Sequence, residues 1–211
     1  MICGVDEAGK GAVLGPLVVA GVACGSDAEA AAVGARDSKT LSPSRREEIY
    51  AEIVARFRVA TRTIPPREID ARPAHTLNLC IARAHAAVVS DLGAGLAILD
   101  ACDVDEKRYG RTVAGYLTSR CRIRSVHDAD RIYPVVGAAS IVAKVLRDRA
   151  IAELAREHGE VGSGYPSDPV TIAWLRRYLQ KEKAPPPFAR ASWATTRDLM
   201  AELFQRRITD F

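Results

Sequence analysis

The chain has no cysteine pattern to build on. Its five cysteines (Cys3, Cys24, Cys80, Cys102 and Cys121) are odd in number and scattered, and none is spaced as Cys-x-x-Cys. Buried free thiols in a reducing compartment are therefore expected in place of disulfides or a zinc site. No apolar run approaches the ~20 residues of a membrane span. The N-terminus shows no basic n-region and no cleavage site, so a cytoplasmic protein with no membrane partner is expected. A large excess of charge of one sign is also lacking. The formal net charge of +4 is compatible with nucleic acid but too small to argue for it. Internal repeats and long low-complexity tracts are missing. So is any Gly-x-Ser-x-Gly, and none of the four histidines (His75, His85, His127, His158) pairs recognisably with a serine or cysteine, which leaves nucleophilic catalysis without a motif. His127 is the only histidine near the candidate acids in the sequence.

What is present is a chain of 211 residues, 48% hydrophobic and 27% charged, enough for one soluble domain with an appendage. Apolar runs over 2–6 and 13–24 predict two core strands around a glycine turn. Ser42 and Pro43 open a helix carrying Ile49, Ile53, Val54 and Phe57. Residues 59–64 predict a strand closed by Pro65-Pro66, and 76–92 a helix ended by Gly93. Leu96 to Leu99 form a short strand running into Asp100. A helix near 106–119, a strand over 122–126, and a long helix over 136–157 follow. The turn-rich 162–169 loop opens a further helix at Asp168-Pro169. Ala184-Pro185-Pro186-Pro187 is a linker, and a last helix covers 192–206. Strands and helices alternate, so the fold class is α/β. The expected division is 1–183 and a helical C-terminal extension over 184–211.

The stretch carrying most chemistry is Gly4-Val5-Asp6-Glu7-Ala8-Gly9-Lys10-Gly11. Adjacent strand residues face opposite ways, so Asp6 and Glu7 converge only where the strand breaks up. Two carboxylates at a strand end suit a hard cation such as Mg²⁺, and Gly9 and Gly11 let a phosphate or sugar approach the main chain. A charged hairpin turn is the plain alternative on this pair alone. Gly4-x-x-x-x-Gly9-Lys10 matches the spacing of a P-loop, but Gly11 stands where a Ser or Thr is needed and two acids would repel the phosphates. Asp100, and either Asp128 or Asp130, also follow predicted strand ends. Four acids in one pocket call for cations, and two Mg²⁺ ions are the carboxylate-rich solution for attack of water on a phosphodiester. Lys10, Lys39, Lys144 and Arg147 are candidates to hold flanking phosphates. Ser140, Lys144 and Arg147 make one polar stripe on the long helix, either a solvated face or a phosphate-holding one.

These blocks resemble type 2 ribonuclease H, in its archaeal ribonuclease HII form. The resemblance rests on the opening motif with Gly15 to Gly21, on Asp37-Ser38-Lys39 with Leu41, and on Asp100. It continues through 130–144, Gly162 to Pro169, and Ala191-Ser192-Trp193. It implies a ribonuclease H-like fold around a mixed central sheet flanked by helices. It also implies cleavage of the RNA strand in RNA–DNA hybrids, and incision 5′ to ribonucleotides embedded in duplex DNA. Two Mg²⁺ or Mn²⁺ ions would be needed, 3′-OH and 5′-phosphate ends would be left, and the context would be ribonucleotide removal in replication and repair. Asp6, Glu7, Asp100 and Asp130 match the four metal-binding catalytic acids. Asp130 is preferred because it stands four residues before Pro134. Gly9-Lys10-Gly11 match the motif that reads the 2′-hydroxyl through its backbone, and Tyr165 the tyrosine at the junction sugar. Lys10 replaces a frequent Arg, and Gly137 a frequent Ser. The tail Gln205-x-x-Ile208-x-x-Phe211 resembles a sliding-clamp-binding peptide lacking its second aromatic; an amphipathic helix end is the alternative. A monomer is expected. A non-catalytic hybrid-binding protein is the rival, although binding alone would favour bases in place of the four acids.

Overall fold

In the computed structural model, residues 1–35, 41–74 and 76–209 are described, with side chains through residue 203. The elements run β1 (Ile2–Ala8), β2 (Leu17–Cys24), α1 (Asp27–Ala32), α2 (Pro43–Arg56), β3 (Arg58–Ile64), α3 (Pro66–Ala71), α4 (Leu77–Leu92), β4 (Leu96–Asp100), α5 (Glu106–Gly115), β5 (Arg122–Val126), α6 (Ala129–Ile132), α7 (Pro134–His158), α8 (Pro169–Glu182) and α9 (Ala194–Thr209). The sheet order is β3-β2-β1-β4-β5, which puts β1 at the centre. β1 pairs antiparallel with β2 and parallel with β4, and β4 pairs parallel with β5. This is the mixed sheet flanked by helices that the resemblance implied. Every residue of β2 is buried, as its unbroken apolar run requires.

Three local differences have physical causes. β1 continues to Ala8, because Glu7 and Ala8 stay in register with Val19 and Val18. The strand does not break up at the two acids. The second strand begins at Leu17 and not at residue 13, since the Val13 and Leu14 amides donate to the Gly164 carbonyl instead of to a neighbouring strand. The short helices α3 and α6 have no periodic signal of their own and sit between longer elements.

The chain forms two compact units, each drawn from three segments. The first comprises Met1–Ala8, Val18–Thr63 and Pro73–Leu146, and the second Gly9–Leu17, Ile64–Arg72 and Arg147–Phe211. Residues 184 onward thus share a unit with the glycine turn. The first unit has an aliphatic core of Ala20, Val22, Ile49, Ile53, Ile141 and Val142, among others. Its central close approach is at Gly137, where a Cβ would lie 2.5 Å from the Ala35 carbonyl and 3.0 Å from the Asp130 carbonyl. A serine there would first meet the Ala35 carbonyl and next the Asp130 carbonyl, so it would disturb the packing of α7 on both.

The second unit packs Val13, Leu14, Ile151, Val161, Trp174, Leu175 and Leu179. Asp168 caps α8, accepting from the Ser163 and Val170 amides at 2.5 and 2.9 Å. The Ser163 bonds above all hold its carboxyl low, at about 2. A depressed folded-state value means the cap stabilises above the ordinary carboxylate range and is lost as pH falls through about 2. Asp168→Asn is therefore expected to melt below the wild type near neutral pH, with the gap closing as pH is lowered toward that value. Melting curves across the acid range check this; a gap that does not change with pH would mean charge plays no part in the cap.

Candidate active site

Asp6 lies two residues before the C-terminal end of the central strand, just past its last pairing with β4. Because Val5 registers with Leu99, the next residues in line, Asp6 and Asp100, stand at the ends of neighbouring parallel strands, where open α/β sheets place their ligands. Asp6 is 5% exposed. It accepts from the Glu7 amide at 2.7 Å and from the Ser140 hydroxyl of α7. Its carboxyl is pushed well above the usual range, first by burial, then by the negative charges of Glu7 and Asp100, against the pull of those two hydrogen bonds. Asp100 in turn accepts from the Ala129 amide at 2.9 Å, which ties β4 to the start of α6, one residue before Asp130. Asp130 is 3% exposed, whereas the Asp128 side chain is 64% exposed and lies 3.9 Å from Arg131.

Glu7 takes a different partner. Its Oε2 is 3.1 Å from Nε2 of His85 on α4. Sequence proximity points to His127 as the histidine near the candidate acids; the ring that meets one of them is that of His85, 78 residues along the chain from Glu7. Its only sequence signal is its place on the apolar side of α4, beside Ile81, Val88 and Leu92. Among the described residues, no three carboxylate, imidazole or thiol groups stand at metal-binding spacing. Asp6, Glu7 and Asp100 crowd negative charge together without forming a finished ligand cage. A hard cation fits these acids: the donors are oxygens, and a positive charge would relieve the repulsion that raises Asp6.

The glycine turn belongs to the second unit. Gly9 has φ +86°, and a Cβ on it would lie 2.7 Å from the Pro16 carbonyl. Around Gly11 the space is open: among the described residues, a Cβ there would meet no atom within 4 Å. Sequence reasoning missed what shapes this turn. Arg190, fully buried, donates to the Lys10 carbonyl at 2.8 Å, to Gly9 at 2.6 Å and to Gly15 at 3.3 Å. It also stacks on Trp193, 4.9 Å from the ring centre. Burial, and then the Arg147 charge, pull its pKa down to about 10, which leaves it charged at neutral pH. The signal lies one residue before the Ala191-Ser192-Trp193 block.

Arg147 is also buried. Its guanidinium donates to the Ser163 carbonyl and lies over the Tyr165 ring at 4.4 Å. Of the polar stripe on α7, then, Ser140 meets Asp6, Lys144 is half-buried, and Arg147 braces Tyr165. Lys39 and Phe211 lie outside the described residues, and Gln205 and Ile208 fall on α9.

The ribonuclease HII family profile matches residues 3–196. The chain belongs to that family. It is 56% identical to the ribonuclease HII of Methanoregula boonei, over the whole of both chains. Among solved structures it is similar to the ribonuclease H2 of Pyrococcus horikoshii, with a TM-score of 0.90 and 35% identity over 97% of this chain and 99% of that one. It is also similar to the ribonuclease HII solved in a PCNA complex from Archaeoglobus fulgidus, with a TM-score of 0.86 and 40% identity over 94% and 96%. The family makes the enzyme class plain: a ribonuclease H, which is a hydrolase. Among the described residues, no helix is long and apolar enough to cross a membrane.

Proposed function

We propose that this protein cuts the RNA strand of RNA–DNA hybrids and incises duplex DNA on the 5′ side of a single embedded ribonucleotide, leaving 3′-OH and 5′-phosphate ends. The observation that carries the reading is Asp6: a carboxyl near the end of the central strand, forced upward first by burial and then by two neighbouring acids. Such a cluster is destabilising to the fold unless a cation neutralises it. Asp6, Glu7, Asp100 and Asp130 would hold two Mg²⁺ or Mn²⁺ ions. When bound, the ions supply activation of the attacking water and stabilisation of the leaving 3′ oxygen.

The chain's own groups divide the remaining work. Ser140 holds the Asp6 carboxyl by its hydroxyl. In the second unit, Gly9, Lys10 and Gly11 would present backbone to the 2′-hydroxyl, the group that distinguishes RNA from DNA at one position. The open space at Gly11 supports a close approach there. Tyr165, braced by Arg147, would pack at the junction sugar. Lys39 and Lys144 would hold flanking phosphates. The deciding assay uses duplex DNA with one ribonucleotide, with and without Mg²⁺ or Mn²⁺, beside a long hybrid. Metal-dependent 5′-side incision is expected. Tight binding with no turnover would instead support a hybrid-binding protein.

The relative from Archaeoglobus fulgidus was solved with PCNA, and we extend a sliding-clamp partner to this cytoplasmic, monomeric chain through Gln205, Ile208 and Phe211. Such peptides place apolar anchors in a groove. Removing residues 205–211 is expected to weaken clamp pull-down at least tenfold, the order of effect for losing an apolar anchor. Unchanged pull-down would make the tail structural.

A further inference from the structure

α4 buries one face, formed by Ile81, Ala82, Ala84, Ala86, Val88, Val89 and Leu92. At the centre of that face stands His85, with no exposure at all. An aliphatic residue would satisfy the helix and its packing better, since an imidazole buried among methyl groups must find a hydrogen-bond partner or be destabilising. The polar partner it has is Glu7, 3.1 Å from Nε2. Its Nδ1 is buried without a hydrogen-bond partner among the described residues, which places the ring hydrogen on Nε2, pointing at the carboxylate. The edge of the Tyr109 ring closes the other side, with ring centres 5.6 Å apart and planes at 83°. His85 can therefore neither turn away nor exchange its partner for water.

The constraint on Glu7 is equally tight. Its side chain is 9% exposed, and its backbone is held in the sheet opposite Val19. Fixing Oε2 by a hydrogen bond removes the freedom of a terminal carboxylate torsion, which is otherwise broad, and leaves Oε1 for another ligand. Carboxylates that bind metal are themselves held by hydrogen bonds of this kind, and loss of the holding group typically weakens metal binding about 10–100-fold.

We propose that His85 is a positioning residue for Glu7, holding its carboxylate in the orientation that a divalent cation needs. The proposal rests on the metal reading of the acid cluster given above. It is tested on the full-length protein, without substrate, by calorimetric titration with Mn²⁺ and by melting in EDTA. His85→Phe keeps the bulk of the ring and removes the donor; it is expected to weaken Mn²⁺ binding about 10–100-fold. His85→Gln can place an amide N–H near the original Nε2 and is expected to restore most of the loss. If His85→Phe does not fold, His85→Asn, whose amide is too short to reach Glu7, should show the same weakening. In a Glu7→Gln background, His85→Phe should cost little more, because the two side chains act as one unit.

The outcomes separate the two claims. If Glu7→Gln weakens Mn²⁺ binding and His85→Phe does not, the positioning role is overturned and the metal reading stands. Equal losses in the presence and absence of Glu7 would also overturn the positioning role. If wild type and Glu7→Gln both fail to bind Mn²⁺, the metal reading falls and takes this proposal with it.

Discussion

Asp6→Asn should lose nearly all cleavage and, in the absence of metal, melt at a higher temperature than the wild type. The amide is isosteric: its oxygen can still accept from the Glu7 amide, and its NH2 can donate to the Ser140 hydroxyl, which turns to accept. What it lacks is the charge. A charged metal ligand contributes several kcal/mol to catalysis, and about 4 kcal/mol corresponds to roughly a thousandfold in rate. The stability change has the opposite sign. Burial and the charges of Glu7 and Asp100 raise the folded-state pKa of Asp6 above its unfolded value. A raised carboxyl weakens the fold progressively as pH climbs out of the ordinary carboxylate range. Near neutral pH the amide carries no such penalty. Single-turnover cleavage in Mg²⁺ and melting in EDTA measure the two effects on one preparation. Wild-type cleavage by Asp6→Asn would remove Asp6 from the chemistry. A lower melting temperature in EDTA would make Asp6 a structural carboxyl instead.

Arg190→Met is expected to produce a large stability loss in the second unit, with a matching loss of ribonucleotide recognition. Methionine keeps the buried stem and removes three hydrogen bonds to the Gly9, Lys10 and Gly15 carbonyls. At roughly 1 kcal/mol for each bond, the loss is about 3 kcal/mol. For a chain of this size, that lowers the melting temperature by roughly 6–12 °C. Function should suffer separately. With the carbonyls released, the Gly9–Gly11 backbone is no longer held in the one conformation that would meet a 2′-hydroxyl. KM for the single-ribonucleotide substrate should then rise more than kcat falls. Arg190→Lys keeps the charge but has no planar fork to span three carbonyls, so an intermediate loss is expected in both measurements. A stable Arg190→Met enzyme with unchanged KM would show that the turn holds its own shape.

Much of the candidate site was legible because its signals are local. Asp100 follows a four-residue apolar run, and Asp6 follows another; the ends of short buried strands can be read without knowing which strand lies beside which. Gly9 announces a left-handed turn, and Asp168-Pro169 announces a helix start. The Asp128-or-Asp130 alternative could not be read that way, because both follow β5 and both flank the same alanine. Burial distinguishes them: one side chain faces solvent and the other does not.

By itself, the sequence determined the α/β alternation, the acids at the strand ends, the glycine turn and the family. Each is read from short blocks, the family from several of them along the chain, where periodicity and turn chemistry act. Only the tertiary structure decided that Glu7 leans on His85, that Arg190 shapes a turn 181 residues away, that Arg147 braces Tyr165, and that β1 runs straight through its two acids. These are hydrogen bonds and packing contacts between distant segments. A buried histidine on an apolar helix face, or an arginine in a loop, leaves no periodic trace until the chain has folded around it.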